Sequence, residues 1–196
     1  MNISQVLRHG LQALPLWWRH ALADVRGSHG AFPVATLARI EAQVAASERQ
    51  HTGQIRVSVE THLPRSYLWR FVRQATPIKT LIHQRAVMLF SKLRVWDTQH
   101  NNGVLIHVLM AERAIEVVAD RGVAEQVSAA HWQAVVQPMQ AAFAQGQFES
   151  GLLQAVDAVT ALLVQHCPRP ETVSSQRPER PGHGPANELP DAPAML

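Results

Sequence analysis

One cysteine, Cys167, stands in 196 residues. A lone thiol cannot close an internal disulfide or build a thiolate cage for zinc, so the cystine-stapled and zinc-finger classes are excluded and a reducing compartment fits. Cys167 falls at the end of a predicted helix, with no helix N-terminus or cluster of bases to activate it, and reads as a spare thiol. Long apolar runs are missing as well: none reaches the ~18 residues that a membrane-spanning helix needs. Arg8, His9, Pro15, Arg19 and His20 break the apolar stretch near the start. No secretory leader is predicted, and the expected location is cytoplasmic, peripheral at the inner face of the membrane. There is no glycine-rich phosphate loop of the nucleotide type, and Cys167 lacks the glycine-rich cradle of a thiol phosphatase. Leu7-Arg8-His9-Gly10 copies the core of the histidine-phosphatase motif, but Met1 to Leu7 is too short and polar for the strand that chemistry stands on.

Negative charge is absent from one window. The formal net charge is only +3, yet no acidic residue lies between Glu60 and Asp97, a stretch holding Arg65, Arg70, Arg73, Lys79, Arg85, Lys92 and Arg94. Tyr67, Trp69 and Phe71 sit among the first of these. Arg65, Trp69, Arg70 and Arg73 are therefore the candidate anion- or partner-binding residues. A surface of this kind attracts phospholipid headgroups, phosphate esters or an acidic protein, and the same pattern also suits a solvated helix face. Nucleic acid is not an expected partner, since charge alone would carry it.

What is present falls into regular periods. Residues 1–32 form an N-terminal extension, partly helical, with Trp17 and Trp18 placed either at a membrane interface or against the core. Val34, Leu37, Ile40, Val44 and Ala45 keep helical spacing, so 34–50 is a predicted amphipathic helix. Ile55, Val57 and Val59 alternate with Arg56, Ser58 and Glu60, which predicts a strand with one wet face. Pro64 and Pro77 bracket a loop or short helix, and a helix spans 79–94. The apolar run Val104–Met110 predicts a strand buried on both faces, returning through 111–113 into a second strand, 114–119, as an antiparallel hairpin. Helices follow to 166, with a kink or early break expected at Pro138. From Pro168 the sequence turns to Pro, Glu, Arg, Ser and Gly and reads as a disordered Pro-rich tail, 168–196. The folded body, 33–167, is expected to be an α/β domain: a three-layer sandwich in which a small mixed sheet carries helices on both faces.

The blocks Leu93-Arg94-Val95-Trp96-Asp97-Thr98, Asn101-Asn102-Gly103-Val104-Leu105-Ile106 and Val117-Val118-Ala119-Asp120-Arg121-Gly122 resemble the TPM-domain family. Ser47 to Arg56, and later Trp132, Phe143, Gly146, Phe148 and Gly151, add to the likeness. It implies an α/β sandwich, and in some members acid phosphatase activity and divalent-cation binding. The chain departs from the exported, membrane-anchored relatives in showing no leader, anchor or Gly-rich tail. It is closer to a shorter bacterial subgroup encoded beside exported TPM-domain and LemA-type proteins, and those are the protein partners the resemblance implies.

Phosphate-ester hydrolysis needs an activated nucleophile and positive charge on the phosphoryl oxygens. Asp97 precedes one strand of the hairpin and Asp120 ends the next, so both are expected at one rim of the sheet. Asp97, Asp120 and Arg121 are the candidate catalytic residues, and Asp97, Asn101, Asn102 and Asp120 the candidate metal ligands. An all-oxygen set suits Ca²⁺ or Mg²⁺ rather than zinc. Turn and cap roles for the same residues are the competing reading. Two functions follow: a TPM-fold module binding a protein partner or anionic membrane surface, or a divalent-metal-assisted phosphatase acting on phosphomonoesters. Glu48 and His51 lie one helical turn apart but give too few ligands for zinc.

Overall fold

The computed structural model describes residues 16, 18–21, 32–169 and 187–196. The Leu7-Arg8-His9-Gly10 motif, Trp17 and residues 170–186 lie outside these. The elements run α1 (Val34–Glu48), β1 (Gln54–Glu60), α2 (Arg65–Gln74), α3 (Ile78–Lys92), β2 (Gly103–Leu109), a 3₁₀ turn (Met110–Glu112), β3 (Ala114–Ala119), α4 (Arg121–Ala124), α5 (Ala129–Ala144), α6 (Phe148–His166) and β4 (Ala194–Met195). The sheet is four-stranded, in the order β3-β2-β1-β4. β1 pairs parallel with β2, and β2 antiparallel with β3, as the hairpin and crossover pattern predicts.

The alternation of β1 sorts the layers. Ile55, Val57 and Val59 join Val104, Ile106, Val108 and Ile115 in one fully buried cluster with Ile40 and Val44 of α1, Phe143 of α5 and Val156, Val159 and Leu163 of α6. This face holds the main core. The opposite face receives α3 through Leu81, Ile82 and Leu89, which pack with Leu105, Leu109, Leu63 and Leu68 in two smaller clusters. Helices on both faces complete the three-layer sandwich. β2 is buried at every position, His107 included, as its nearly continuous apolar run predicts.

The wet face predicted for β1 is corrected: Ser58 and Glu60 are buried beneath α3. Their polarity is met by pairing. Arg85 of α3 forks onto both carboxylate oxygens of Glu60, and Ser58 Oγ lies 3.0 Å from His107 Nδ1 on the neighbouring strand. Arg85 is thereby withdrawn from the basic surface expected of the acid-free window. Burial, and then the charge of Arg85, hold the His107 imidazole down at about 4, so it stays neutral. α5 runs unbroken through Pro138, so no early break occurs. The carbonyl of Ala134, which loses its donor to the proline ring, sits on an exposed turn where water can serve it.

The tail is also corrected. Pro168 bridges His51, Arg169 Nη2 donates to the Glu48 carbonyl at 2.8 Å, and residues 187–196 return to the sheet to form β4 along β1. At the start of the chain, Leu16 is buried with Leu63 and Leu68, while Trp18 is 66% exposed.

Where α1 passes into β1, Glu48 Oε1 accepts from the Ile55 amide at 2.8 Å, in a buried position facing Asp191. Burial raises its carboxyl to about 7, the Ile55 hydrogen bond opposes this, and Asp191 adds to the rise. The native state thus holds a proton that the unfolded chain releases above its ordinary 4.5. Stability from this group is full below that value and is lost as pH rises through 7. Glu48→Gln keeps the acceptor for Ile55 without the charge. Urea unfolding of variant and parent should agree near pH 4 and diverge in the variant's favour by about 3 kcal/mol at pH 8.

Candidate functional site

The loop entering β2 and the end of β3 meet at one rim of the sheet, as the hairpin geometry predicts. The Asp120 amide donates to the Gly103 carbonyl at 2.8 Å, and the Gly122 amide to the Asn101 carbonyl at 2.9 Å. Glycine is required at two places here. A Cβ on Gly103 would stand 2.0 Å from the Val95 carbonyl oxygen, and one on Gly122 would stand 2.6 Å and 2.7 Å from the Asn101 and His100 carbonyl oxygens. Asn101 takes a left-handed backbone, φ 52°, which asparagine tolerates better than most residues.

The predicted site residues divide by what they touch. Asp120 caps α4: Oδ1 accepts from the Arg121 amide at 2.7 Å, and Oδ2 is buried with no hydrogen-bond partner. Asn102 is buried, and its Nδ2 donates to the Thr52 carbonyl at 2.9 Å, tying the starts of β1 and β2. Arg121 is exposed, and its backbone amide makes the cap. Asp97 has other partners. Its amide closes a turn onto the Arg94 carbonyl at 2.9 Å, and its carboxylate, 55% exposed, faces Arg94 Nη1 at 4.0 Å. Among the described residues no group of three or more His, Cys, Asp or Glu side chains is placed to hold a metal. The oxygens gathered at the rim are therefore one orphaned carboxylate oxygen and backbone carbonyls. That donor set fits a hard cation keeping much of its water, and does not fit zinc.

The basic, aromatic segment becomes α2, starting just after Pro64, whose φ of −55° suits helix entry. Leu68 is its only buried residue. Arg65, Trp69 and Arg73 follow each other at one-turn spacing and are all exposed, and the Arg73 guanidinium lies over the Trp69 ring, 5.6 Å from its centroid. Arg70 turns inward instead, half-buried, donating to Gln84 Oε1 at 2.6 Å and flanking the Tyr67 ring.

Two other constellations are closed to chemistry. His51 is fully buried, with Nε2 2.9 Å from Ser47 Oγ and Nδ1 3.1 Å from the Gly53 carbonyl, so neither nitrogen is open to a metal. Ser58, His107 and Glu60 have the composition of a nucleophile, base and acid, but lie under α3 where no substrate reaches them. Sequence reasoning missed this network because a strand's charged alternate positions ordinarily face water. A groove of about 510 Å³ lined by Glu116, Trp132, Gln133, Val136 and Gln137 runs between β3 and α5, and none of the predicted site residues lines it.

Comparison with known proteins bears on the whole domain. A family model described as the TPM domain matches residues 25–162. The NMR structure of BA42 protein from the psychrophilic bacterium Bizionia argentinensis is similar in fold: TM-score 0.65 at 21% identity, over 84% of this chain and 95% of that one. No curated protein matches the chain.

The rim's dependence on a missing side chain is directly measurable. Gly103→Ala forces a methyl against a backbone oxygen that cannot yield without moving the loop. It should lower the stability found in urea unfolding by at least about 2 kcal/mol, while Gly146→Ala, where a Cβ meets nothing and only the left-handed backbone of φ 77° is strained, should cost less.

Proposed function

The chain belongs to the TPM-domain family, and we propose that within it this protein is a binding module that docks on an anionic phospholipid surface through the exposed face of α2. The observation that carries this reading is Trp69, 55% exposed with Arg65 and Arg73 one turn to either side, on a helix that buries only Leu68. An indole at headgroup depth gains contact with the acyl boundary while its flanking guanidinium groups meet phosphates. Each such basic group is worth about 1 kcal/mol near an anionic leaflet. The window without carboxylates on either side of α2 leaves little to oppose that attraction. No described helix is long and apolar enough to cross a membrane, so the attachment proposed is peripheral.

Co-sedimentation with phosphatidylglycerol vesicles tests it. Binding should fall at least about tenfold in Arg65→Glu/Arg73→Glu, fall in Trp69→Ala, and weaken as salt shortens the Debye length. Equal binding to phosphatidylcholine vesicles would sink the reading. Absence of vesicle binding, with LemA-type or exported TPM-domain proteins retained on the same face, would reassign α2 to a protein partner.

A second reading rests on a different observation, the buried unpartnered Oδ2 of Asp120 at the rim. Here the protein is a phosphatase acting on phosphomonoesters. Asp97, Asn101, Asn102 and Asp120 would hold Mg²⁺ or Ca²⁺, and Arg121 would meet the phosphate. The bound cation would supply charge stabilisation on the phosphoryl oxygens. Hydrolysis of a generic phosphomonoester should then require added divalent cation and drop at least about a hundredfold in both Asp97→Asn and Asp120→Asn, with circular dichroism unchanged. Turnover indifferent to chelator, or retained in both variants, excludes this reading.

A further inference from the structure

Residues 187–196 lie on the body differently from every other described strand. Of this segment only Leu189 is buried, the rest being half or fully exposed. Leu189 seats in a pocket of Leu89, Val95 and Leu105, formed by α3, the loop after it and β2. The backbone on either side of this anchor is read by side chains of β1. Gln54 Oε1 accepts from the Glu188 and Leu189 amides at 2.9 Å and 3.2 Å, and Arg56 Nη1 donates to the Pro190 and Ala192 carbonyls. Glu188 Oε2 accepts from the Gln99 amide at 2.7 Å, and Asp191 faces Arg56. Only at Ala194 and Met195 does the segment pair with β1, opposite Ser58 and Val59. The Leu196 amide donates to the Val59 carbonyl at 2.9 Å, and the Thr61 amide to the Leu196 carbonyl at 3.5 Å.

One apolar anchor in a pocket, side chains reading its backbone, and a short run of strand pairing at a sheet edge are the elements of peptide recognition by strand addition. The other edge strand, β3, pairs with its neighbour along six residues, whereas this segment pairs at only two. We propose that the outer edge of β1, with Gln54, Arg56 and the Leu189 pocket, is a peptide-binding groove, that residues 187–196 are its resident ligand, and that it accepts the same segment from a second copy of this chain.

The groove belongs to the body and the ligand to a separate stretch of sequence, with residues 170–186 between them. A tethered ligand faces its site at a concentration in the mM range, so an intact chain resists a free competitor that an emptied groove would take up. Exchange of the segment between copies needs no contact that the single chain does not already make.

A fluorescein-labelled peptide of residues 187–196, titrated into full chains, tests this. The Leu189→Arg chain, its own anchor lost, should bind the peptide at least about tenfold more tightly than the parent chain. A peptide carrying L189R should bind neither, and adding Arg56→Ala to the Leu189→Arg chain should weaken uptake. Mixed donor- and acceptor-labelled parent chains should show energy transfer that rises as concentration approaches the mM range and is absent from mixed Leu189→Arg chains. A folded Leu189→Arg chain that takes up no peptide overturns the proposal, as does the absence of transfer. Hydrogen exchange of the parent chain covers a variant that fails to fold. The Leu196 and Thr61 amides should exchange at least about a hundredfold faster than the β1–β2 ladder. Exchange of both sets together would make the segment an integral strand and end the proposal.

Discussion

The turn Asn102-Gly103 is the point on which the sheet's order depends. It carries the chain from the loop after α3 into the central strand, against the Val95 carbonyl, where no side chain fits. From the same two residues, Asn102 reaches the start of β1 through the Thr52 carbonyl and the Gln54 amide, and Gly103 reaches the end of β3 through the Asp120 amide. A parallel neighbour and an antiparallel neighbour are thereby brought into register at one end of β2. The rim oxygens, including the orphaned Asp120 Oδ2, are placed by this backbone tie rather than by any packing of their own.

The two faces of the sheet are held by different physics. The main face is apolar, with Phe143, Val156 and Val159 closing over the branched residues of β1 and β2. The α3 face is partly ionic. Breaking a buried pair such as Arg85–Glu60 leaves a charge without water, whereas the pair together need contribute little to stability. What the pair does supply is position, since a fork onto both carboxylate oxygens tolerates neither rotation nor sliding of α3. α2 lies beside this layer through Leu68 and Tyr67, and Arg85 also flanks the Tyr67 ring, 5.7 Å from its centroid. The exposed Trp69 face is thus carried on an outer layer, away from the main core.

The parts legible in the sequence are those where one period dominates. Ile55, Val57 and Val59 gave β1 its register, the run Val104–Leu109 its central place to β2, and Asn102-Gly103 and Asp120 their shared rim. Burial of Ser58, Glu60 and Arg85 was not legible, because their partners lie 25 to 49 residues away and no local pattern encodes a salt bridge under a helix. β4 was hidden for a related reason. Ala194 and Met195 are too few to show a period, and Pro190 and Pro193 argue locally against a strand. The contact of Asp97 with Arg94 was not legible either, because it rests on a turn whose left-handed backbone at the non-glycine Arg94 no simple turn rule anticipates.

β4 joins the sheet from far along the chain. Ser58 meets Ala194, a separation that dwarfs every other strand pairing in the fold. During synthesis β1 leaves the ribosome well before its outer neighbour has been translated, while β2 and β3 follow closely enough to build the rest of the sheet. For that interval the nascent domain offers neighbouring polypeptides an unpaired edge. Pairing of this edge therefore waits on translation of the residues between the two strands, a long-range closure that the rest of the sheet does not share.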